Sequence, residues 1–237
     1  MGEDRENLRA ALTTPARNHR HAVITMEREG CCTKPCIQGL VWHDCCANES
    51  FVHAGIPAAT PETIKAGKLP RDHVIGRNKV PVPFAGFTNP TIQVMDRTPN
   101  SDVHWADAVG PQCFGGCSEL CCNVPFMVKR IEPNGDPKVK IGDVAKINKL
   151  KPKNLDAAAR ELLTDSDIYQ LEILDHSVTP QQRATLLGTA LMMDYAFFER
   201  DIDMCGFDSD GKFFINLCNC FCCGVLTPCQ VKCKPGA

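Results

Sequence analysis

Short runs of alternating apolar and polar residues follow one another along much of the chain between residues 21 and 174. In the clearest of them, Phe126 and Val128 share one face of an extended chain while Met127 and Lys129 share the other. Glycine and proline separate the runs, as is typical of an antiparallel barrel or sandwich. We expect strands at residues 21–26, 37–42, 91–95, 102–105, 125–131 and 138–141.

A different pattern covers residues 180–199, where the chain is apolar on nearly all sides. Thr179, Pro180 and Gln182 provide an N-cap, a proline at the first helical position and the last residue of a capping box. The apolar run spans roughly 22 Å as a helix, against about 30 Å of bilayer hydrocarbon. We therefore predict a buried core helix rather than a membrane span, with these residues in it: Leu187, Gly188, Leu191, Asp194, Phe197 and Phe198.

The segments outside these elements suggest three parts. Residues 1–20 are polar and are expected to form a poorly ordered head, and residues 21–200 form the domain. Six prolines between residues 57 and 90 predict a long loop within that domain. Residues 201–237 are interpreted as a cysteine-rich tail.

The chain has 237 residues, 16 cysteines and a formal net charge of −2. The near-neutral charge argues against a nucleic-acid binder held by a strong basic field. The charged start shows no apolar signal-peptide core, so we expect reduced thiols rather than a secreted disulfide scaffold. Four vicinal Cys-Cys pairs suit acylation or metal ligation better than disulfides between neighbours.

Charge is unevenly distributed along the chain. Residues 126–153 hold eight Lys/Arg and three Asp/Glu, whereas residues 154–210 hold three Arg and twelve Asp/Glu. The basic region is either a solvated sheet face or a surface for anionic lipid. The acidic region could supply carboxylates to a hard cation.

Zinc is a further possibility, since Cys117-x3-Cys121 and Cys218-x-Cys220-x-Cys222 could provide ligands. These spacings do not match a paired Cys-x2-Cys ribbon. The seven histidines show no placement beside a cysteine that indicates nucleophilic catalysis.

Residues 163–199 contain, in order, Leu-Thr-Asp-Ser-Asp at 163–167, a strand at 169–174, Leu-Leu-Gly at 186–188 and Met-Asp-Tyr-Ala-Phe-Phe-Glu at 193–199. This order resembles the C-terminal part of the phospholipid scramblase family. Weaker similarities to the same family lie at residues 23–28, 31–36, 91–93, 110–122 and 142–147, and few residues precede the first of them.

The resemblance implies a tubby-like antiparallel β-barrel, complete or incomplete, around the C-terminal apolar helix. It implies Ca2+-dependent, ATP-independent lipid transport between membrane leaflets, with Asp165, Asp167 and Asp175 as calcium ligands. We therefore do not expect an enzyme, because lipid transport involves no covalent chemistry. This chain differs from the family's calcium-binding segment at Ile168, where the family has Asn. It also implies palmitoylation of cysteines in the two cysteine-rich segments, namely Cys31, Cys32, Cys36, Cys121 and Cys122.

The expected partners are membrane phospholipids and other proteins, and the expected location is the cytoplasmic face of a membrane, the plasma membrane in particular. The alternative is a lipid- or protein-binding adaptor on the same barrel that transports nothing. The basic residues 126–153 motivate this alternative.

Overall fold

The computed structural model describes residues 24–28, 48–58, 60–66, 69–82, 84–98, 101–132, 140–153, 167–198 and 204–233. Within these ranges the chain forms two antiparallel sheets and one long helix. The first sheet contains β1 Ile24–Arg28, β2 Glu49–Ala54, β3 Val74–Lys79, β4 Thr91–Arg97, β5 Asp102–Val109, β7 Val124–Ile131, β8 Lys140–Lys149 and β9 Tyr169–Ile173. The second contains β6 Cys113–Phe114, β10 Cys205–Phe207, β11 Phe213–Cys222 and β12 Val225–Cys233.

Helices are few in the described part of the chain. Two short ones, α1 and α2, lie at Pro61–Ala66 and Ser118–Cys121, and single 3-10 turns lie at Arg71–His73 and Phe84–Gly86. The long helix α3, Pro180–Met193, continues as a π-helical segment, Asp194–Phe198. None of these helices is long and apolar enough to cross a bilayer.

The first sheet is a meander in which each strand pairs with its neighbour in the order β1-β2-β3-β4-β5-β7-β8-β9. It curls into a half-barrel around α3, which packs against β2, β3, β4 and β9. The prediction of a mainly β fold with one C-terminal helix is therefore confirmed.

Alternation along the strands produces the core of the half-barrel. Ala108 is opposite Ile92 on one side and Val128 on the other, and all three side chains are fully buried. Phe126 and Ile147 continue this inner surface across β7 and β8. A single face of each strand thus supplies the apolar surface against which the helix packs.

The start of α3 agrees with its sequence signature. The Thr179 hydroxyl accepts from the Gln182 backbone N–H, and the Gln182 side chain accepts from the Thr179 N–H. Gly76 is needed for close approach, because a Cβ there would lie 2.0 Å from Thr185 Oγ1. Likewise, a Cβ on Gly188 would lie 2.5 Å from Val52 Cγ2. These two glycines let the helix lie directly on the sheet.

The prediction of a long loop at residues 57–90 is wrong, because this segment contains α1 and strand β3. Pro70 and Pro81 lie outside that strand, so neither removes a hydrogen-bond donor from it. The strand predicted at 37–42 and the head at 1–20 lie outside the described residues.

The cysteine-rich segment after residue 200, predicted as a tail, packs on the core of the domain. Within residues 204–233 it forms β10, β11 and β12, and β6 pairs with β11. Phe221 and Leu226 are buried in the same core cluster as the helix. The Phe221 ring lies edge-on to that of Phe197, with centroids 6.0 Å apart.

Candidate functional site

One face of α3 and of the π-helical segment that continues it remains uncovered by the half-barrel. Leu187, Leu191 and Tyr195 recur every four residues and are 46%, 47% and 43% exposed. The predicted burial of Leu187 and Leu191 is therefore wrong. The physical reason is that a half-barrel covers only one side of a helix that is apolar on both.

The other residues predicted in the buried helix face the protein. Gly188 and Phe197 are buried, while Asp194 and Phe198 are partly buried. Phe197 stacks on Phe126 with ring centroids 5.8 Å apart. The inner face of α3 is thus a packed core surface, and the exposed stripe of Leu187, Leu191 and Tyr195 is its outer counterpart.

A buried ionic cluster lies where α3 ends. Lys149 Nζ is 2.5 Å from Glu119 Oε2 and 2.8 Å from Asp167 Oδ2. Burial opposes the charge on Lys149, but these two carboxylates outweigh burial and raise the lysine's pKa. Burial raises the pKa of Glu119 in spite of the lysine. The Lys149 ammonium also lies 4.4 Å from the centroid of the Phe198 ring.

Tyr169 and Asp194 connect this cluster to the helix. The Tyr169 hydroxyl donates to Asp194 Oδ1 at 2.8 Å and also lies 3.3 Å from Asp167 Oδ2. Burial raises the pKa of Asp194, and the charge of Asp167 adds to that effect. Burial and the nearby acidic side chains also raise the pKa of Tyr169. Asp194, conspicuous within an apolar run, is therefore part of a hydrogen-bonded network.

The structure does not bring the predicted calcium ligands together. Asp165 lies outside the described residues. Asp167 precedes β9 and pairs with Lys149, whereas Asp175 follows β9, where its backbone N–H donates to Val144. Lys149 and Val144 are five residues apart on β8, a distance of about 17 Å in an extended strand. Calcium ligands lie about 2.3–2.6 Å from the ion, so Asp167 and Asp175 do not form one site in this arrangement.

Asp175 has its own partners within the protein. Arg130 donates to its carboxylate at 2.7 Å, and the Ser177 backbone N–H donates at 2.8 Å. Hydrogen bonds from Ser177, followed by the Arg130 guanidinium, lower the pKa of Asp175 to about 2. Asp167 and Asp175 therefore both form ion pairs within the protein.

Two of the predicted acylation sites are placed on the surface. Cys121 and Cys122 end the short helix α2, and both are exposed. Lys151 Nζ donates to the Cys121 carbonyl at 3.0 Å. The other three predicted positions, Cys31, Cys32 and Cys36, lie outside the described residues.

A thiol cluster on the second sheet was not predicted as a set. Cys113 Sγ lies 2.9 Å from Cys220 Sγ, which in turn lies 3.2 Å from Cys229 Sγ. The sulfurs of Cys113, Cys218 and Cys220 all lie within 4.8 Å of one another. Burial, followed by the neighbouring thiols, raises the pKa of Cys218 to about 12. We call Cys113, Cys218, Cys220 and Cys229 the thiol cluster.

Only part of the thiol cluster could be predicted from the sequence. The spacing Cys218-x-Cys220 places two thiols on one face of a strand. Cys113 is more than 100 residues away, and only pairing between β6 and β11 brings it opposite Cys220. Cys117, a zinc ligand suggested by spacing, is not among the sulfurs that converge here.

Comparison of the chain with protein-family models, with curated proteins and with solved structures gives no match.

Proposed function

We propose that this protein associates with membranes and handles phospholipids in the manner of the scramblase family. The order of its sequence segments supports the proposal, as does the coarse architecture of a curled antiparallel sheet around one C-terminal apolar helix. The tubby-like identity of the half-barrel is part of this proposal.

The observation that carries the proposal is the exposed apolar stripe on α3. Its three side chains extend over about 12 Å along one helix face, at 1.5 Å per residue. Burying apolar area in a lipid interface is favourable by about 25 cal/mol per Å2. A helix that is half embedded in a sheet and half exposed can lay such a stripe on the acyl-chain boundary.

The end of the stripe also suits a membrane interface. The Arg28 guanidinium lies 5.0 Å from the centroid of the Tyr195 ring. Tyrosine favours the headgroup level, and arginine pairs well with phosphate. The stripe thus runs from two leucines, which suit acyl chains, to a tyrosine and an arginine, which suit headgroups.

Exposed Cys121 and Cys122 would provide a second means of membrane attachment. A single acyl chain binds membranes only marginally, whereas two signals together anchor stably. Acylation at this vicinal pair would therefore reinforce the weak attraction of the apolar stripe.

Calcium dependence stays a prediction with no ligand set assigned to it. Asp167 and Asp175 are engaged with Lys149 and Arg130, so calcium binding by both together would require these pairs to break. A calcium arm in the transport experiment below tests this dependence directly.

The adaptor alternative receives less support. Two of the basic residues that motivate it, Arg130 and Lys149, form ion pairs within the protein. The basic surface offered by 126–153 is therefore smaller than the sequence suggests.

Flotation with vesicles tests membrane association. We expect the full chain to float with phosphatidylcholine vesicles containing phosphatidylserine, and Leu187→Asn combined with Leu191→Asn to reduce the floated fraction at least fivefold. The matched control is Leu217→Asn with Val231→Asn, since both of these side chains are 48% exposed and lie on the second sheet. Failure of the wild type to float, or equal loss in both double variants, rejects the proposal.

Transport is tested separately in reconstituted vesicles containing a fluorescent phospholipid. With protein and calcium, a membrane-impermeant quencher should reach inner-leaflet lipid that it does not reach in empty vesicles. If the protein floats but moves no lipid with or without calcium, membrane association stands, transport is rejected and the adaptor alternative is favoured.

A further inference from the structure

The second sheet buries little of its own surface. In the nine residues of β12, only Leu226 is buried, and β10 has no buried residue. Small sheets are marginally stable unless they pack one apolar face well. Phe221 and Leu226 anchor one end of the β11–β12 hairpin, but the rest of it needs another source of stability.

A β-bulge determines which side chains of β11 face outward. The pairing with β12 shifts between Asn216 and Cys218, so Leu217 is the extra residue. Asn216 and Asn219 are consequently both buried, although they are three residues apart. Cys218 and Cys220 take the opposite, outward face.

Pairing places two more cysteines on this same outward face. Cys229 on β12 is directly opposite Cys218, and Cys113 on β6 is directly opposite Cys220. Directly opposed residues on neighbouring strands share a face, with Cβ atoms about 4.5–5.5 Å apart. Four thiols from three strands therefore form a compact group.

The strand that carries Cys113 is held firmly against β11. It is followed by Gly115 and Gly116, both at positive φ, and a Cβ on Gly116 would lie 2.6 Å from the Asn216 carbonyl oxygen. The Cys117 N–H donates to that same carbonyl at 2.9 Å. This glycine turn fixes the register that brings Cys113 to Cys220.

The distances suit one shared ion. In a tetrahedral zinc site with Zn–S bonds of about 2.3 Å, the sulfurs lie about 3.8 Å apart. Cys220 Sγ is 2.9 and 3.2 Å from two different sulfurs, and the Cys218 sulfur is within 4.8 Å of Cys113 and Cys220. Shifts of about 1 Å or less would space the sulfurs of Cys113, Cys218 and Cys220 for a tetrahedron. Cys229, which contacts Cys220 but lies outside that set, would complete the tetrahedron by moving away from Cys220 and toward the other two. A disulfide would use only one of the two contacts that Cys220 makes.

Ligand chemistry selects the kind of ion. Thiolates are soft ligands that favour zinc and other thiophilic metals over calcium or magnesium. Four thiolates in a closed tetrahedral set are typical of a structural rather than a catalytic zinc site, because no position remains open for water.

We propose that Cys113, Cys218, Cys220 and Cys229 bind one structural zinc ion that links β6, β11 and β12. The ion ties the weakly buried hairpin to the strand that leads into α2. This site is independent of membrane association, so either proposal can fail without the other.

Metal analysis of the full chain, purified under reducing conditions, tests the site. We expect Cys220→Ser to contain about one zinc per chain less than the wild type. The matched control, Cys205→Ser, changes an exposed cysteine of the same sheet and should retain the wild-type zinc content. Comparing variants separates this site from zinc held by any other cysteines.

Three further measurements keep the proposal testable if Cys220→Ser folds poorly. Cys220→His preserves a zinc ligand and should retain the metal. X-ray absorption at the zinc edge of the wild type should show four sulfur neighbours at about 2.3 Å. Reconstitution with cobalt should give the intense visible bands of tetrahedral thiolate coordination, which Cys220→Ser should lack.

Three results would overturn the proposal. Equal zinc in the wild type and a folded Cys220→Ser variant would mean that the thiol cluster is not the site. Zinc-free wild type with four thiols fewer than expected in a thiol titration would mean that the cluster forms two disulfides. Iron in place of zinc would reject the assigned metal.

Discussion

The half-barrel and the second sheet are built from similar antiparallel pairings but are stabilised differently. The half-barrel packs against one side of the helix, and six of its eight strands contain buried residues, including Val52, Val94 and Phe126. The second sheet buries Phe114, Phe221 and Leu226, and its outer face carries the thiol cluster. Apolar burial against the helix stabilises the half-barrel, whereas the β11–β12 hairpin buries little of its own surface and, in our proposal, is stabilised by zinc.

The largest difference in stability between the two regions is expected when one large side chain is truncated in each. Phe197→Ala should destabilise the protein by about 3–5 kcal/mol, since the ring is 4% exposed and packs among Phe114, Phe126 and Phe221. Phe207→Ala in β10 should change stability by no more than about 0.5 kcal/mol, because that ring is 73% exposed. Urea unfolding of both variants measures the difference, and similar losses would contradict the contrast.

The ionic cluster provides the next test, within the half-barrel. Lys149→Ala should cost about 3–5 kcal/mol because it leaves the largely buried carboxylates of Glu119 and Asp167 without their cation. Lys146→Ala on the outer face of the same strand is the matched control and should cost less than about 0.5 kcal/mol. Equal effects on the urea midpoint would show that Lys149 contributes only as a surface residue.

A more local effect is expected in the second sheet when metal is removed. Chelation of the proposed zinc should speed amide exchange in β11 and β12 while leaving β4 and β5 near their original protection. The physical reason is that the two regions have separate sources of stability. Exchange measured by mass spectrometry on peptides from both sheets checks this, and uniform deprotection would mean that the sheets open together.

The smallest expected effect concerns pH. Burial raises the pKa of Asp194, so the folded state holds its proton more tightly than the unfolded chain does. Its contribution to stability is therefore fully present below the unfolded pKa and is lost as pH rises through the raised pKa. Asp194→Asn keeps an oxygen to accept the Tyr169 hydrogen bond but cannot ionise.

Melting temperatures of wild type and Asp194→Asn between about pH 3 and pH 8 test this sign. The variant should gain relative stability as pH rises across that range. A variant that loses relative stability toward neutral pH would mean that the charged form of Asp194 is favoured in the folded protein.

Much of the half-barrel was predictable because its signals are local. Short apolar runs predicted strands within β4, β5 and β7, and the capping box of Thr179 and Gln182 predicted the start of α3. Strand β3 was missed because flanking prolines made its short sequence look like part of a loop. The exposure of Leu187 was not predicted. The sequence shows that this residue is apolar, but it does not show how much of the helix surface the sheet covers.

Local sequence patterns were enough to predict several strands and the start of the long helix. These properties depend on residues close together in the chain, through backbone hydrogen bonding and side-chain alternation. Only the tertiary structure decided that Asp167 pairs with Lys149, and that the β11 bulge and the pairing with β6 bring Cys113 to Cys220. Such contacts depend on register between distant strands, which the packing of the whole core determines.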